Sequence, residues 1–264
     1  MKIATWNINS VRLRLPIVLN LLKNERPDVL ALQETKVIND LFPGDELKKL
    51  GYVHQAINGQ KGYHGVAILS RLPFKKTHAQ AFCGKDDTRH VSVIFENGVE
   101  LHNFYVPAGG DIPDPTKNEK FDHKLHFLAE MEKFFARRKA RKTEPVILVG
   151  DLNVAPLEND VWSHKQLLDI VSHTPIETKL LGEAMAAFDW TDTTRHFIPP
   201  EEKIYSWWSY RAADWEASDR GRRLDHVWAS PGLKGALKSQ KILKKMRGWQ
   251  KASDHVPVVV EFNI

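Results

Sequence analysis

An α/β sandwich, with two β-sheets packed together and covered by helices, is the fold class this 264-residue sequence predicts. Three observations predict it. Short apolar runs bounded by turn residues recur along the whole chain, as strands do. Two of them, at 91–95 and 99–104, are joined by Asn97-Gly98, a pair that tolerates positive φ and marks a hairpin. Other runs are separated by helical stretches, so the sheets are mixed rather than purely antiparallel.

The elements follow in order. KIATWN at 2–7 is the first strand, and a helix over 13–23 follows it, stopped by Pro27. Strands are expected at 29–33, 65–69, 91–95 and 99–104. The strongest helix spans 120–138, where Phe121, Leu125, Leu128, Met131 and Phe135 form one apolar stripe. VILV at 146–149, bounded by Pro145 and Gly150, reads as a strand buried on both faces. Strands at 224–228 and 256–262 complete the series. No low-complexity linker or shift in composition divides the chain, so one domain over 1–264 is expected.

Composition narrows the class. With 42% hydrophobic residues the chain can bury one large core, and no stretch approaches the ~20 apolar residues of a membrane span. The N-terminus lacks an apolar signal core, so a cytoplasmic protein is expected. Cys83 is the only cysteine, which excludes an intramolecular disulfide and argues against structural zinc. A net charge of +5 is compatible with a polyanionic partner without establishing one.

Several predicted strands end in polar groups of one kind. Asn7 and Asn9 follow the first, Gln33 and Glu34 the second, and Asp151 and Asn153 the VILV run. Asp225 lies in the strand at 224–228, and Asp254 and His255 precede the last strand. Each alone is ordinary turn chemistry. Together, with no basic residue as an obvious ion-pair partner, they read as a convergent site. Period-two geometry puts Asp151 and Asn153 on one side and Leu152 on the other. Glu34, Asp151 and Asp254 are hard oxygen donors, with Asn7 and Asn153 as neutral ones. Such a set suits Mg²⁺ beside phosphate oxygens. His255 and Asp254 can reach one site only from a turn before Val256. A carboxylate such as Asp225 would orient His255 or keep it protonated.

The segments WNINSVR, PDVLALQETK, GYHGVAILSR, NFYVPAGG, GDLNVAP, YSWWSYR, RGRRLDHVWAS and SDHVPVV occur in order across nearly the whole chain. Together they resemble the exonuclease III type of AP endonuclease, within the endonuclease/exonuclease/phosphatase family that includes deoxyribonuclease I. The resemblance implies a four-layer α/β sandwich of two packed mixed β-sheets flanked by helices. It also implies a Mg²⁺-dependent phosphodiesterase of base-excision repair, with Mn²⁺ able to substitute. Such an enzyme cleaves 5′ to abasic sites and acts at 3′ ends as an exonuclease and phosphatase. Its partner would be double-stranded DNA with abasic sites or blocked 3′ ends, with no membrane involved, and a monomer is expected.

By the same resemblance, Asp151 is the catalytic carboxylate, Asn153 a phosphate contact and Tyr105 the tyrosine near the phosphate. Glu34 is the principal metal ligand, with Asn7 close by. His255 contacts the scissile phosphate and Asp225 orients it. Asp254 completes the His255 environment and is a candidate ligand of a second metal; Asp151, Asn153 and His255 also count among the candidate metal-site residues. Trp207 corresponds to the aromatic lining the pocket for a flipped-out abasic sugar. Arg89, Arg211 and Arg222, with Arg220 and Arg223, are the candidate DNA-contacting cations. One departure stands out: Ala108 replaces a side-chain amide three residues after Tyr105, followed by Gly109-Gly110, whose backbone could approach a phosphate. Two rival readings are a phosphatase or phosphodiesterase for a non-DNA phosphoester, and a catalytically inactive DNA-binding module.

Overall fold

The computed structural model describes the whole chain, Met1–Ile264. Its strands are β1 (Lys2–Asn7), β2 (Val29–Gln33), β3 (His54–Asn58), β4 (Val66–Ser70), β5 (Phe74–His78), β6 (His90–Phe95) and β7 (Glu100–Tyr105). They continue with β8 (Val146–Asp151), β9 (Thr191–Asp192), β10 (Trp207–Trp208), β11 (Gly221–Arg222), β12 (Asp225–Ala229), β13 (Leu237–Ile242) and β14 (Val258–Phe262). Two six-stranded mixed sheets result, ordered β13-β14-β1-β2-β4-β3 and β5-β6-β7-β8-β12-β9, with β10-β11 as a small ribbon.

Alternation along the strands builds four layers. Ile3, Ala31, Val93, Leu101, Val149 and Val227 point between the sheets into the central core. The opposite face of the first sheet packs Trp6, Leu30 and Leu32 on Val18, Leu21 and Leu22 of the helix Leu15–Asn24. The opposite face of the second packs Leu148 and Trp228 on the helices Glu119–Ala136 and Pro175–Ala187.

The same alternation positions the site. Continuing the inward-facing series from Ile3, Ala31, Leu101, Val149 and Val227 reaches Asn7, Gln33, Asn103, Asp151 and Asp225. β1 runs parallel to β2 and β7 parallel to β8, so these four strands deliver their C-terminal residues to one end of the sandwich. β12 is antiparallel to β8 and opens there, with Asp225 directly opposite Asp151. Beneath them a polar layer joins the sheets. Gln33 Nε2 donates to Asn103 Oδ1 at 2.7 Å and to Thr5 Oγ1 at 2.9 Å. Asn103 Nδ2 donates to the Leu32 and Ala67 carbonyls, both at 3.0 Å. These side chains are buried and their amide N–H donors are paired, so the layer fixes sheet-to-sheet register, with Gln33 Oε1 alone left without a partner.

The fold departs from expectation in specific places. β3, β5 and β13 were not foreseen, nor was the helix Pro175–Ala187. In the helix Glu119–Ala136, Lys124 occupies the buried stripe and Leu125 is only half-buried. Lys124 can lie there because it meets Glu177, equally buried, from the neighbouring helix.

Candidate active site

The floor of the site is a set of carboxylates bridged by amides. Asn7 Nδ2 donates to Glu34 Oε1 and to Asp151 Oδ2, both at 2.8 Å. Asp151 also receives the Asn153 side-chain amide at 3.1 Å and its backbone N–H at 2.9 Å. Tyr105 donates its hydroxyl to Glu34 Oε1 at 2.9 Å, and its phenol is held neutral by burial and by the Glu34 and Asp151 charges. Glu34 and Asn153, each just beyond a strand, adopt left-handed φ of 50° and 52°. Neither is glycine, so the surrounding bonds must offset the strain of turning them into the site.

His255 sits in the turn before β14, in an isolated bridge with Trp207. Its Nδ1 lies 2.8 Å from Asp225 Oδ2 and its Nε2 lies 3.6 Å from Asp151 Oδ2. Burial opposes charging the ring, but Asp225, Asp151 and Asp254 outweigh it and raise the imidazole to about 10. Burial also raises Asp151, to about 7, against the pull of His255 and with Asp225 adding to the rise. Ser206 Oγ donates to Asp225 Oδ2 at 2.7 Å and accepts the Leu224 and Asp225 N–H groups. This bond fixes the carboxylate that orients the imidazolium.

The donor set fits a hard divalent cation, and Glu34 is its centre. Glu34 is held below its ordinary range: burial raises it, but the charge of Lys36 and bonds from Asn7 and Lys36 outweigh burial. Lys36 Nζ lies 2.8 Å from Glu34 Oε2, so the expectation that these carboxylates lack a basic partner is corrected. Lys36 is a half-buried, flexible side chain, and an ammonium where a metal ligand turns to the cleft is a stand-in for a cation. Asp151, Asp225 and His255 also bring their ligand atoms within 4.8 Å of one another. Without a cation the trio is held together by the His255 contacts to Asp225 and Asp151, and a charged imidazole donates there. Asn7 turns its N–H groups to the two carboxylates while its oxygen accepts the Asn9 N–H, so in this arrangement it bridges Glu34 and Asp151. Asn153 donates to Asp151 and to the Val106 carbonyl, and its amide too acts here as a donor.

Above the floor lies an open cleft of about 630 Å³, lined by Glu34, Asn153, Trp207, Asp254, His255 and Arg222 among others. Trp207 is a half-buried wall residue whose Nε1 donates to Asp254 Oδ2 at 3.0 Å, while Trp208 is core. Asp254 Oδ1 accepts from Asn9 Nδ2 at 3.1 Å. Asp254 thus lies in the same cleft as Glu34, at the wall held by Trp207.

The candidate cations divide. Arg211 is exposed at the cleft, and Arg220 lies there with its guanidinium over Trp162. Arg222 lies over Trp207, 5.3 Å from the ring centre, and donates to the Val171 carbonyl and to Ser172 Oγ. Arg89 is not at the cleft: it is buried against the Tyr105 ring and paired with Asp87. Arg223 is fully buried between Asp160 and Asp192, a structural ion cluster. In the basic run after Ile242, Arg247 is also internal, stacked on Tyr210 and Trp215. Gly109 does not bare the backbone for a phosphate. At φ 90°, its missing Cβ makes room for Lys124 Cδ, which a side chain would meet at 2.9 Å.

Lys36, Lys124 and Ser206 escaped the sequence reading. Lys36 had a local signal, standing two residues after Glu34; the other two are defined only by tertiary contacts.

Comparison with known proteins agrees with the fold. A model of the endonuclease/exonuclease/phosphatase family matches residues 4–255. An exodeoxyribonuclease of Bacillus subtilis is 32% identical, covering 100% of both chains. Among solved structures, an AP endonuclease from Archaeoglobus fulgidus superposes with a TM-score of 0.92 at 32% identity, covering 100% of both chains. A 3′ phosphatase from Neisseria, bound to a product DNA hairpin, gives a TM-score of 0.91 at 32% identity over the same full coverage.

Proposed function

The chain belongs to the endonuclease/exonuclease/phosphatase family, in its exonuclease III-type branch, and from that premise we propose that it is a Mg²⁺-dependent DNA-repair phosphodiesterase cutting duplex DNA 5′ to abasic sites. The same site would trim 3′ ends as an exonuclease and 3′-phosphatase, activities carried in the names of its Neisseria relatives. It acts as a monomer in the cytoplasm. Mn²⁺ substitutes for Mg²⁺, since both prefer oxygen donors.

The observation that carries the reading is convergence. Glu34, Asp151, Asn153 and the Asp225–His255 pair meet at the floor of one cleft whose wall is Trp207. When bound at Glu34, a divalent cation supplies positive charge to the phosphate oxygens.

The chain's own residues supply the rest. Asp151, poised near neutrality by burial, takes a proton from the attacking water. The water oxygen bonds to phosphorus, the P–O3′ bond breaks, the leaving 3′ oxygen on the far side takes a proton from solvent, and Asp151 gives its proton back to solvent. The products are a 3′-hydroxyl and a 5′-phosphate. His255, kept charged by Asp225, presents an N–H to the phosphate, with the Asn153 amide and Tyr105 hydroxyl as further donors. Arg211 and Arg222 attract the backbone, and Trp207 offers an aromatic face to the space left by a missing base. Glu34→Gln tests the assignment. It should abolish cleavage in Mg²⁺ while leaving duplex binding in EDTA within a few-fold of wild type; undiminished cleavage would remove Glu34 from the role.

A further inference from the structure

Three separate segments at the cleft end on one buried ion pair. Lys124 and Glu177 are both fully buried and directly paired, although they come from different helices. Lys124 Nζ also donates to the Asn153 carbonyl at 2.7 Å and the Ala108 carbonyl at 3.2 Å. Glu177 accepts the Ser172 N–H on both oxygens at 2.9 Å and the Thr174 N–H at 3.1 Å; its Oε2 also accepts the Thr174 hydroxyl at 2.6 Å. Gly109 leaves room for the Lys124 stem to pass. Ser172 Oγ then accepts from Arg222, which lies over Trp207.

We propose that the Lys124–Glu177 pair is a positioning unit. It locks the Asn153 strand end, the Ala108 loop and the Ser172 wall at fixed separations, and so sets the cleft in which the phosphate is aligned and the abasic sugar seated. Capping the helix Pro175–Ala187 required only Thr174 and Glu177, which form a capping box. Lys124 has no part in that cap, and its contacts run instead to two carbonyls on the active-site side. Breaking the pair on one side leaves a charge buried without its partner, so single variants lose stability as well as alignment. Removing both charges separates the two effects.

The test uses full-length protein carrying Lys124→Met, Glu177→Gln, both together, or Glu177→Asp, and rests on the proposed DNA cleavage for its kinetic arm. Each variant is measured for thermal midpoint, for kcat and KM on an abasic duplex, and for hydrogen exchange of segments 106–111, 152–155 and 170–175. Lys124→Met should lower the midpoint. The double variant should recover much of that loss while kcat stays down by about 100-fold, with KM moving far less. Glu177→Asp keeps the charge but shortens its reach, so it should stay folded, lose kcat, and speed exchange in all three segments together. Recovery of kcat with the midpoint in the double variant would overturn the proposal, as would unchanged kcat and exchange in Glu177→Asp. If wild-type protein does not cut abasic DNA, the functional reading fails by itself. Exchange then decides the positioning role: faster exchange across all three segments supports it, and a change confined to 170–175 refutes it.

Discussion

Asp225→Asn is the sharpest perturbation of the catalytic floor. The amide keeps the size of the side chain and an oxygen for Ser206, but removes the charge 2.8 Å from His255 Nδ1. His255 is raised from 6.5 to about 10 although burial opposes its charge, and Asp225 makes the largest contribution to that rise. Holding the ring protonated over that range corresponds to roughly 5 kcal/mol between its two forms. Without Asp225 the balance shifts toward burial, and the ring should lose its proton at a lower pH than in the wild type. An imidazolium N–H facing the phosphate becomes a neutral and weaker donor, and kcat should fall on the order of 10²-fold or more. Nitrogen-15 NMR of the imidazole in cation-free protein from pH 6 to 10, alongside kcat in Mg²⁺, reads both effects. A wild-type ring already neutral at pH 8, or an Asp225→Asn variant within threefold of wild-type kcat, would contradict the electrostatic reasoning.

Four further outcomes follow from the same contacts. The rate should rise with pH to at most about 7, as Asp151 ionises, then stay level until His255 deprotonates near 10; a falling limb near 7 would make Asp151 an acid instead of a base. Because the folded-state value of His255 is raised, its stabilisation is complete below pH 6.5 and lost as pH climbs to about 10. The stability gap between wild type and Asp225→Asn should accordingly narrow over that range in urea melts. Arg223→Met removes the guanidinium that joins buried Asp160 to Asp192, leaving Asp160 with Arg195 alone, and should cost about 3 kcal/mol in urea unfolding, whereas a loss under 1 kcal/mol would mean the cluster is dispensable. Trp207→Ala should weaken binding of an abasic duplex by about 1–3 kcal/mol while sparing undamaged duplex; equal losses on both would deny it a role in recognising the gap.

Local chemistry was legible in the sequence wherever the determining neighbours are close along the chain. The strands at 2–7, 29–33 and 146–149 are apolar runs with clear ends, and Asn97-Gly98 marked its hairpin. β5 was missed because FKKTH is an exposed edge strand whose two lysines conceal its periodicity, and LKSQKI in β13 has the same character. The helix Pro175–Ala187 carried a readable start in Thr174-Pro175-Ile176-Glu177, but its apolar face is narrow. The polar strand ends at Asn7, Glu34, Asp151, Asp225 and His255 were visible as types and positions, and their meeting follows from alternation once the strand order is known. What could not be read was partnership across the chain. Lys124 with Glu177, and Arg223 with Asp160 and Asp192, are charges made tolerable in the interior by partners 31 to 63 residues away. Their own segments gave no sign of burial. Ala108 was visible as a departure, but its setting was not. Its carbonyl is tied to Lys124, so Ala108→Gln would add an amide at the cleft without freeing the loop.

The most direct test of the central claim maps cleavage on one labelled duplex carrying a single stable abasic-site analogue, beside an undamaged control. Incubation is in Mg²⁺ or EDTA, with products resolved at single-nucleotide resolution. A cut immediately 5′ to the abasic position, present in Mg²⁺, absent in EDTA and leaving a 3′-hydroxyl, is the result expected from the Glu34, Asp151 and His255 floor beneath Trp207. An intact abasic duplex in Mg²⁺, or the same cut undiminished in EDTA, would contradict it.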